Sequence, residues 1–168
     1  MRHILAGLAL LLPVAVYSAD ATPDATFYKK AAEGGLAEVD AGNLAQQKSN
    51  NQSIKDFAAM MVKDHGAAND KLKGIASSKN ISLPTSPGIG QMATKAKLDV
   101  LSGDTFDKSY IKAMIKDHQQ TIALFKKEVT SGQDPDARAF AAATLPTVRS
   151  HLKQIRAIAQ TAGVDASK

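Results

Sequence analysis

Two histidines end near-identical five-residue segments, Met-Val-Lys-Asp-His at 61–65 and Met-Ile-Lys-Asp-His at 114–118. In each segment the histidine follows a methionine by four positions, so on a helix the two side chains share a face. Both segments, and a third histidine at His151, lie in apolar stripes with helical spacing, which places all three imidazoles toward a core. Neutral imidazole is the commonest protein ligand for transition metals. Core histidines that only make hydrogen bonds are the alternative interpretation.

A carboxylate lies at the matching level of the first predicted helix. His65 and His118 lie near the midpoints of their helices, His151 lies just past the midpoint of its own, and Glu38 is near the midpoint of the first. Midpoints lie at the same height whichever way a helix runs. We therefore expect a single metal site with His65, His118 and His151 as ligands and Glu38 as the acidic ligand. Glu33 or Asp40 are alternatives, because the apolar stripe of the first helix is the least distinct.

Imidazole and carboxylate ligands suit zinc, iron, copper or manganese. Met61 and Met114 would add thioether sulfur and favour Cu(I) if they bind, although methionine on an apolar face is more often core filler. Asp64 and Asp117 lie about 100° around the helix from the core stripe. They can orient a histidine of a neighbouring helix, or they can be surface charges beside Lys63 and Lys116.

Other chemistry is poorly supported by the sequence. The chain has no cysteine, no glycine-rich phosphate loop and no nucleophile elbow. Di-iron carboxylate sites need Glu-x-x-His on two helices. Here Val62, Ile115 and Val148 stand three positions before the histidines. These absences argue against ferroxidase or oxygenase activity, and no catalytic residue and no organic cofactor is predicted.

The composition indicates one helical domain. The 168 residues are 44% hydrophobic, 22% charged and only 5% aromatic, with no tryptophan, a balance typical of a folded domain of closely packed helices. The net charge is +5, but the lysines are spread over the chain without interleaved aromatics. We therefore expect no nucleic-acid partner.

The first 21 residues have the layout of a secretory signal peptide. A short basic start precedes an apolar run over residues 4–12, and Ala19-Asp20-Ala21 is a small-x-small cleavage site. We expect a mature single domain over residues 22–168, with cleavage after Ala19 as the alternative. The apolar run is shorter than the roughly 20 residues of a membrane span. A periplasmic or secreted protein without stable membrane insertion after cleavage follows.

Hydrophobic periodicity predicts four long helices and one short one. A connection of the length of residues 80–104 suits a crossover along a whole bundle. The sequence therefore predicts an all-α, ferritin-like four-helix bundle in which the second and third long helices run parallel. The predicted long helices span residues 24–48, 52–79, 105–131 and 135–161, with a short helix over residues 91–101 inside the crossover.

Several residues should shape these helices. Thr22, Asn51 and Asp134 are candidate N-caps, the last with Pro135 at the first helical position. Asp104-x-x-Asp107 resembles a capping box. We expect the Gly34-Gly35 pair to allow close approach of a neighbouring helix, and Pro146 to kink the fourth long helix. These caps, glycines and prolines stand at positions 22, 34–35, 51, 104–107, 134–135 and 146 of the sequence.

Several of these segments together resemble an exported bacterial family, the domain-of-unknown-function 4142 proteins of the ferritin-like group. The matching segments are Glu33-Gly34-Gly35-Leu36-Ala37-Glu38-Val39, Phe57-Ala58 with residues 61–65, Phe106-Asp107-Lys108-Ser109-Tyr110-Ile111 leading to His118, and Leu145-Pro146 with His151-Leu152. The resemblance covers roughly residues 25–160 and implies a ferritin-like four-helix bundle in the cell envelope. It implies no particular activity.

Three hypotheses of function follow. The leading one is an exported, non-enzymatic bundle that binds a transition metal at the central histidines, in envelope metal handling or stress protection. The second is a structural or interaction module that binds another envelope protein, with hydrogen-bonded core histidines and no metal. The third is a metal-dependent redox enzyme that decomposes peroxide. The sequence does not distinguish the metal or the oligomeric state.

Overall fold

The computed structural model describes residues 23–165, and these residues form five α-helices and no strand. The all-α prediction is confirmed, and every predicted helix lies within two residues of its observed bounds. None of the helices in this part of the chain is long and apolar enough to cross a bilayer. The signal peptide and the cap at Thr22 lie outside the described residues. The helices are α1 (Pro23–Lys48), α2 (Gln52–Ser78), α3 (Ile89–Asp99), α4 (Gly103–Ser131) and α5 (Pro135–Thr161).

Side-chain caps fix two of the helix starts. Asn51 Oδ1 accepts hydrogen bonds from the backbone N–H groups of Ser53 (3.0 Å) and Ile54 (3.4 Å) at the start of α2. Asp134 caps α5 in the same way, through the N–H of Asp136 at 2.9 Å. Both bonds satisfy backbone donors that have no partner inside the helix.

The predicted capping box at Asp104 and Asp107 is wrong. Helix α4 begins at Gly103, and the residue in the N-cap position is Ser102, whose side chain makes no capping hydrogen bond. Gly103 has φ of 53°, a left-handed conformation that glycine adopts readily. This turn starts the helix before Asp104, so Asp104 lies in the first helical turn and cannot serve as its cap.

The four long helices form a bundle in which α1 packs on α2 and α4, and α5 packs on α4 and α2. Helices α1 and α2 are joined by three residues and run antiparallel. Asp24, at the start of α1, accepts hydrogen bonds from the backbone of Gln133 and Asp134, just after α4. Helices α1 and α4 are therefore antiparallel as well. It follows that α2 and α4 run parallel, as the length of the crossover predicted.

The crossover is fastened by one lysine. Lys48 Nζ, at the end of α1, donates hydrogen bonds to the carbonyls of Leu101 (2.8 Å), Leu98 (3.4 Å) and Asp99 at the end of α3. The end of a helix leaves carbonyls short of intrahelical partners, although the Leu98 carbonyl also accepts a hydrogen bond from the backbone N–H of Leu101. The same ammonium lies 5.7 Å from the centre of the Phe106 ring. Lys48 therefore ties α1, α3 and α4 together at one end of the bundle.

The core consists of two separate apolar clusters, one in each half of the bundle. One contains Met61, Met114 and Ile155, and the other contains Leu72 and Phe140. On every long helix except α1, the histidine lies in the sequence between residues of the two clusters. A polar layer at mid-height therefore divides the apolar core.

The two neighbouring glycines of α1 have different surroundings. A Cβ on Gly35 would lie 1.9 Å from Oδ1 of Asn69 on α2, so a larger residue there would require the Asn69 side chain to move. A Cβ on Gly34 would meet no atom within 4 Å. The predicted close approach is therefore confirmed at Gly35 and wrong at Gly34. Helix α5 continues through Pro146, and the kink expected there stays a prediction.

Candidate metal centre

Three helices each contribute one histidine to the polar layer, with His65 on α2, His118 on α4 and His151 on α5. All three are buried. Their ring centroids form a nearly equilateral triangle with sides of 5.4, 5.6 and 5.6 Å. One ring nitrogen from each histidine lies within 4.8 Å of the corresponding nitrogens of the other two. The structure thus brings together the three histidines that the sequence placed at one level.

Hydrogen bonds determine which ring nitrogen of His118 and which of His151 remains free. The Nδ1–H of His118 donates to the carbonyl oxygen of Met114, one turn earlier, at 2.8 Å. The Nε2–H of His151 donates to Oδ2 of Asp64 at 3.0 Å. In a neutral imidazole the nitrogen that does not donate carries a lone pair. Nε2 of His118 and Nδ1 of His151 are therefore available as ligands.

Three buried ring nitrogens have no hydrogen-bond partner within the described part of the chain. They are Nε2 of His65, Nε2 of His118 and Nδ1 of His151. Leaving a buried polar atom without a partner costs about 1–3 kcal/mol, so such atoms are rare in folded proteins. Each member of the triad therefore carries one buried ring nitrogen that no described group satisfies.

Burial keeps the imidazoles neutral. It lowers the pKa of His65 to about 3, helped by the neighbouring His118 and His151. It lowers the pKa of His118 to about 4, partly opposed by the hydrogen bond to Met114. The pKa of His151 is also lowered by burial, against the opposing effect of Asp64. At neutral pH all three rings therefore present lone pairs rather than positive charges.

Glu38 lies behind His118 and does not belong to the group of close nitrogens. Its Oε1 is 3.3 Å from Nδ1 of His118, the nitrogen that bonds to Met114. Burial, and then the charge of Asp117, raise the pKa of Glu38 well above its usual value. Because burial disfavours the charged form of both partners, this contact is not an ion pair. Glu38 is therefore placed beside a histidine, whereas the sequence suggested that it binds the metal directly. Of the two alternatives, Glu33 pairs instead with Lys30.

The two aspartates of the repeated segment have different roles. Asp64 accepts a hydrogen bond from His151 on a neighbouring helix, which is one of the two roles expected from the sequence. No described hydrogen bond joins Asp117 to a histidine; it lines grooves beside α1 and α3, and burial raises its pKa. The two methionines, Met61 and Met114, lie in the apolar cluster on one side of the layer.

Sequence reasoning missed two aromatic neighbours of the layer. The Phe57 ring centroid lies 6.2 Å from that of His118 and 6.4 Å from that of His151. The hydroxyl of Tyr110 is buried without a partner among the described residues, and the nearby Glu38 helps raise the Tyr110 pKa. Both residues stand in the segments that carry the family resemblance, beside positions of the apolar stripes. Periodicity alone does not show which core residues border a polar layer.

The triad fits a transition metal in the chemistry of its donors. Bonds of about 2.0–2.1 Å to imidazole nitrogen require donor nitrogens roughly 3.4 Å apart. The observed upper limit of 4.8 Å means that the rings must close by about 1 Å or somewhat more, a shift that small side-chain rotations supply. The set contains no carboxylate, so it suits copper or zinc better than magnesium, calcium or manganese.

Comparison with protein families identifies the chain. It belongs to the family described as "Domain of unknown function (DUF4142)", whose model matches residues 13–158. This confirms the resemblance seen in the sequence. No curated protein sequence matches the chain.

Solved structures share the fold at low sequence identity. A DUF305 protein from Streptomyces coelicolor matches with a TM-score of 0.74 and 13% identity, over 87% of this chain and 97% of its own. CopM in its Cu(I)-bound form matches with a TM-score of 0.69 and 17% identity, over 82% and 96%. A DUF305 fragment from Deinococcus radiodurans matches with a TM-score of 0.71 and 14% identity, over 82% and 95%. At these identities the likeness shows the fold alone.

Proposed function

From membership of the DUF4142 family and the geometry of the histidine layer, we propose that this chain is an exported binding protein for a transition metal, with copper as the first candidate. The single observation that carries the proposal is the triad itself. Each of three buried histidines offers a ring nitrogen within 4.8 Å of the others, and each has a buried ring nitrogen without a partner among the described residues. The ligands are His65 and His118 through Nε2 and His151 through Nδ1. Its role is to hold or transfer the ion rather than to catalyse a reaction.

The surroundings of the triad favour a monovalent ion. The three imidazoles are neutral, and the energy required to bury an ion rises steeply with its charge. Asp64 is the nearest carboxylate bonded to a triad member, and its side chain is 32% exposed. Cu(I) carries one charge, accepts imidazole ligands and tolerates low coordination numbers, whereas Zn²⁺ would place two charges in the same apolar interior. Ag(I) is the redox-inert probe of the same site.

Groups around the triad hold the ligands in place. The carboxylate of Asp64 accepts a hydrogen bond from Nε2–H of His151, which fixes the tautomer of this ring and increases the basicity of Nδ1. The Met114 carbonyl does the same for His118. When bound, copper supplies a cation for the three unpaired lone pairs, and the protein supplies the orientation of the rings and a dry environment.

Comparison with solved structures supports this choice of metal. CopM structures with Cu(I), Cu(II) and Ag bound have TM-scores of 0.69, 0.67 and 0.68 against this chain. Those metals are properties of CopM, and the present proposal rests on the donors found here. Export is proposed from the signal-peptide layout of residues 1–21.

The test is metal binding by the mature protein purified without an affinity tag. Cu(I) is titrated anaerobically against a chromophoric chelator, with Ag(I) and Zn²⁺ titrated in parallel. The expected result is one Cu(I) per chain, lost in His65→Ala/His118→Ala. The matched control is Lys63→Ala/Lys116→Ala, which changes exposed side chains two residues before the same histidines. The control should bind like the wild type.

Thermal melting gives an independent readout. Free metal at 100 times its dissociation constant stabilises the folded state by about 2.7 kcal/mol. In a chain of this size, that corresponds to a rise in Tm of roughly 5–11 °C. Sub-stoichiometric metal in the wild type, with no change of Tm on adding Cu(I), Ag(I) or Zn²⁺, would refute the proposal.

A second candidate function is a protein-interaction module. The large hydrophobic residues that are exposed among residues 23–165 all lie on α3 or directly after it, with Ile89 84% exposed, Met92 45% and Val100 82%. Under this alternative, the triad would hold a buried water molecule instead of a metal. Each histidine variant would then lose stability with no dependence on metal. Ile89→Ser/Val100→Ser would abolish capture of an envelope protein without affecting Tm.

A further inference from the structure

Gly34 has no packing reason to be glycine. Glycine inside a helix costs about 1 kcal/mol relative to alanine. At the adjacent Gly35 this cost is explained, because a Cβ there would overlap Asn69. At Gly34 a Cβ would meet nothing within 4 Å, and the residue is helical with an ordinary negative φ. Packing against neighbouring atoms therefore does not explain why residue 34 is glycine.

That space belongs to two cavities that meet at Gly34. The first is a groove of about 190 Å³ beside α1, α3 and α4, and it is lined by Glu38, Asp117 and Gln120. The second is an inner cavity of about 30 Å³ that reaches His65. The residues that line both cavities are Lys30, Gly34, Thr121 and Leu124. Gly34 is the one member of this set without a side chain.

The groove has the chemistry of a cation entrance. Glu38 is 97% buried, since its exposed fraction is 3%, and both of its carboxyl oxygens lack a hydrogen-bond partner among the described residues. This group lines the groove together with Asp117. Lys30 also lines it, but its ammonium is paired with Glu33 Oε2 at 2.9 Å. The unpaired carboxyl oxygens of Glu38 offer lone pairs to a metal cation that has not yet reached the imidazoles.

The inner cavity suits a small ion that has lost its water. A volume of about 30 Å³ exceeds the roughly 10–15 Å³ needed to hold one water molecule. Apart from His65, much of its wall is apolar, including Leu72, Phe125 and Val148. An apolar wall disfavours a strongly hydrated divalent ion and admits a weakly hydrated monovalent one. The lining therefore agrees with the choice of Cu(I).

We propose that Gly34 forms the gap through which a monovalent metal ion passes from the groove lined by Glu38 and Asp117 to the histidine triad. This inference rests on the proposed function, because the passage leads to the proposed ligands. A glycine at this position leaves the gap open, whereas any side chain would narrow it. Glycine at position 34 lowers the stability of the helix, and it gives the metal ion faster access to the buried site.

The experiment compares the rate and the extent of metal loading in Gly34→Ala and Gly34→Leu. Apo protein is mixed anaerobically with Cu(I) held by a chromophoric chelator, and the transfer of copper is followed by absorbance in stopped flow. The matched controls are Gly74→Ala and Gly74→Leu. Gly74 is also a helical glycine with nothing within 4 Å of an added Cβ, but it lines neither cavity.

The expected result separates access from binding and from folding. Gly34→Leu should slow loading by about tenfold or more, and Gly34→Ala by a few-fold, because a new side chain obstructs the gap. The final stoichiometry should stay at one Cu(I) per chain. The Tm of Gly34→Ala should rise or stay the same, because alanine favours the helix. The Gly74 variants should load at the wild-type rate.

Two results would overturn the inference, and they are distinguishable. If the wild type takes up Cu(I) and both Gly34 variants load as fast as the Gly74 variants, the passage is wrong and the proposed function stands. If the wild type takes up no Cu(I), the passage and the proposed function fail together. If Gly34→Leu does not fold, Gly34→Ala, which adds only a methyl group, decides the question alone.

Discussion

Acidification should destabilise the metal-free protein through its buried histidines. In the folded state the pKa values of His65 and His118 are about 3 and about 4, whereas an unfolded chain has the ordinary value near 6.5. Between these limits the unfolded state binds more protons than the folded state. Stability contributed by the two neutral imidazoles is therefore present above pH 6.5 and is lost as the pH falls.

The size of this loss follows from the shifts. At pH 5 both folded histidines are still neutral, while both unfolded histidines are about 1.5 pH units below their pKa. Each histidine then lowers the free energy of unfolding by about 2 kcal/mol relative to pH 8, so the pair lowers it by about 4 kcal/mol. The lowered pKa of His151 acts in the same direction. A loss of this size is a large part of the roughly 5–15 kcal/mol that stabilises a domain.

The measurement is urea unfolding of the apo protein at pH 8 and pH 5, in the presence of a chelator. With a slope of about 2 kcal/mol per molar urea, the contribution of the two histidines alone corresponds to a fall of about 2 M in the midpoint. Glu128 opposes this change, because burial raises its pKa to about 7 and it gains a proton over the same range. The comparison is therefore with His65→Gln/His118→Gln, which keeps Glu128 and His151 but removes the titration of the other two histidines.

The difference between the two proteins isolates the histidines. The free energy of unfolding of His65→Gln/His118→Gln should fall by about 4 kcal/mol less than that of the wild type between pH 8 and pH 5. If the double variant does not fold, His118→Gln alone should show about half of the difference. Equal losses in wild type and variant would show that the histidines are not buried as neutral groups, and the argument for the triad would fail with them.

Three further outcomes are expected. Gly35→Ala should gain less stability than Gly34→Ala, because its methyl group would displace the Asn69 amide, and equal urea unfolding of the two variants would contradict this packing. Glu128→Gln should remove the stabilisation that the raised pKa of Glu128 gives below about pH 7; the Tm should therefore rise more from pH 6 to pH 9 in the variant than in the wild type. Lys48→Met should speed hydrogen exchange at the end of α3, since three carbonyls lose their donor, and exchange equal to that of the wild type would count against it.

The sequence was sufficient for the fold because the necessary signals are local. Helical periodicity and punctuation by Asn51, Gly132 and Asp134 give bounds within two residues of those observed. The length of the crossover gives the parallel arrangement of α2 and α4. The capping box failed because Gly103 adopts a left-handed φ and starts the helix early, and one residue of this kind is not visible in an i, i+3 pattern.

The site was only partly predictable, because its details depend on lateral neighbours. Depth along the helices brought His65, His118 and His151 to one level, and the structure places them together. The repeated segment also suggested equivalent roles for Asp64 and Asp117. Asp64 on α2 bonds to α5, whereas Asp117 on α4 lines grooves beside α1 and α3. A sequence repeat carries no information about which helix faces each copy.

Burial of the triad lowers the stability of the protein at acid pH. Under the proposed function, the same burial preserves the metal ligands at that pH. Protons and metal ions compete for the same imidazole lone pairs. An exposed histidine is protonated below about pH 6.5, but the pKa values of His65 and His118 are about 3 and about 4. Two of the three proposed ligands therefore stay free of protons at pH 5. A buried triad thus keeps its lone pairs free at a pH that protonates an exposed one.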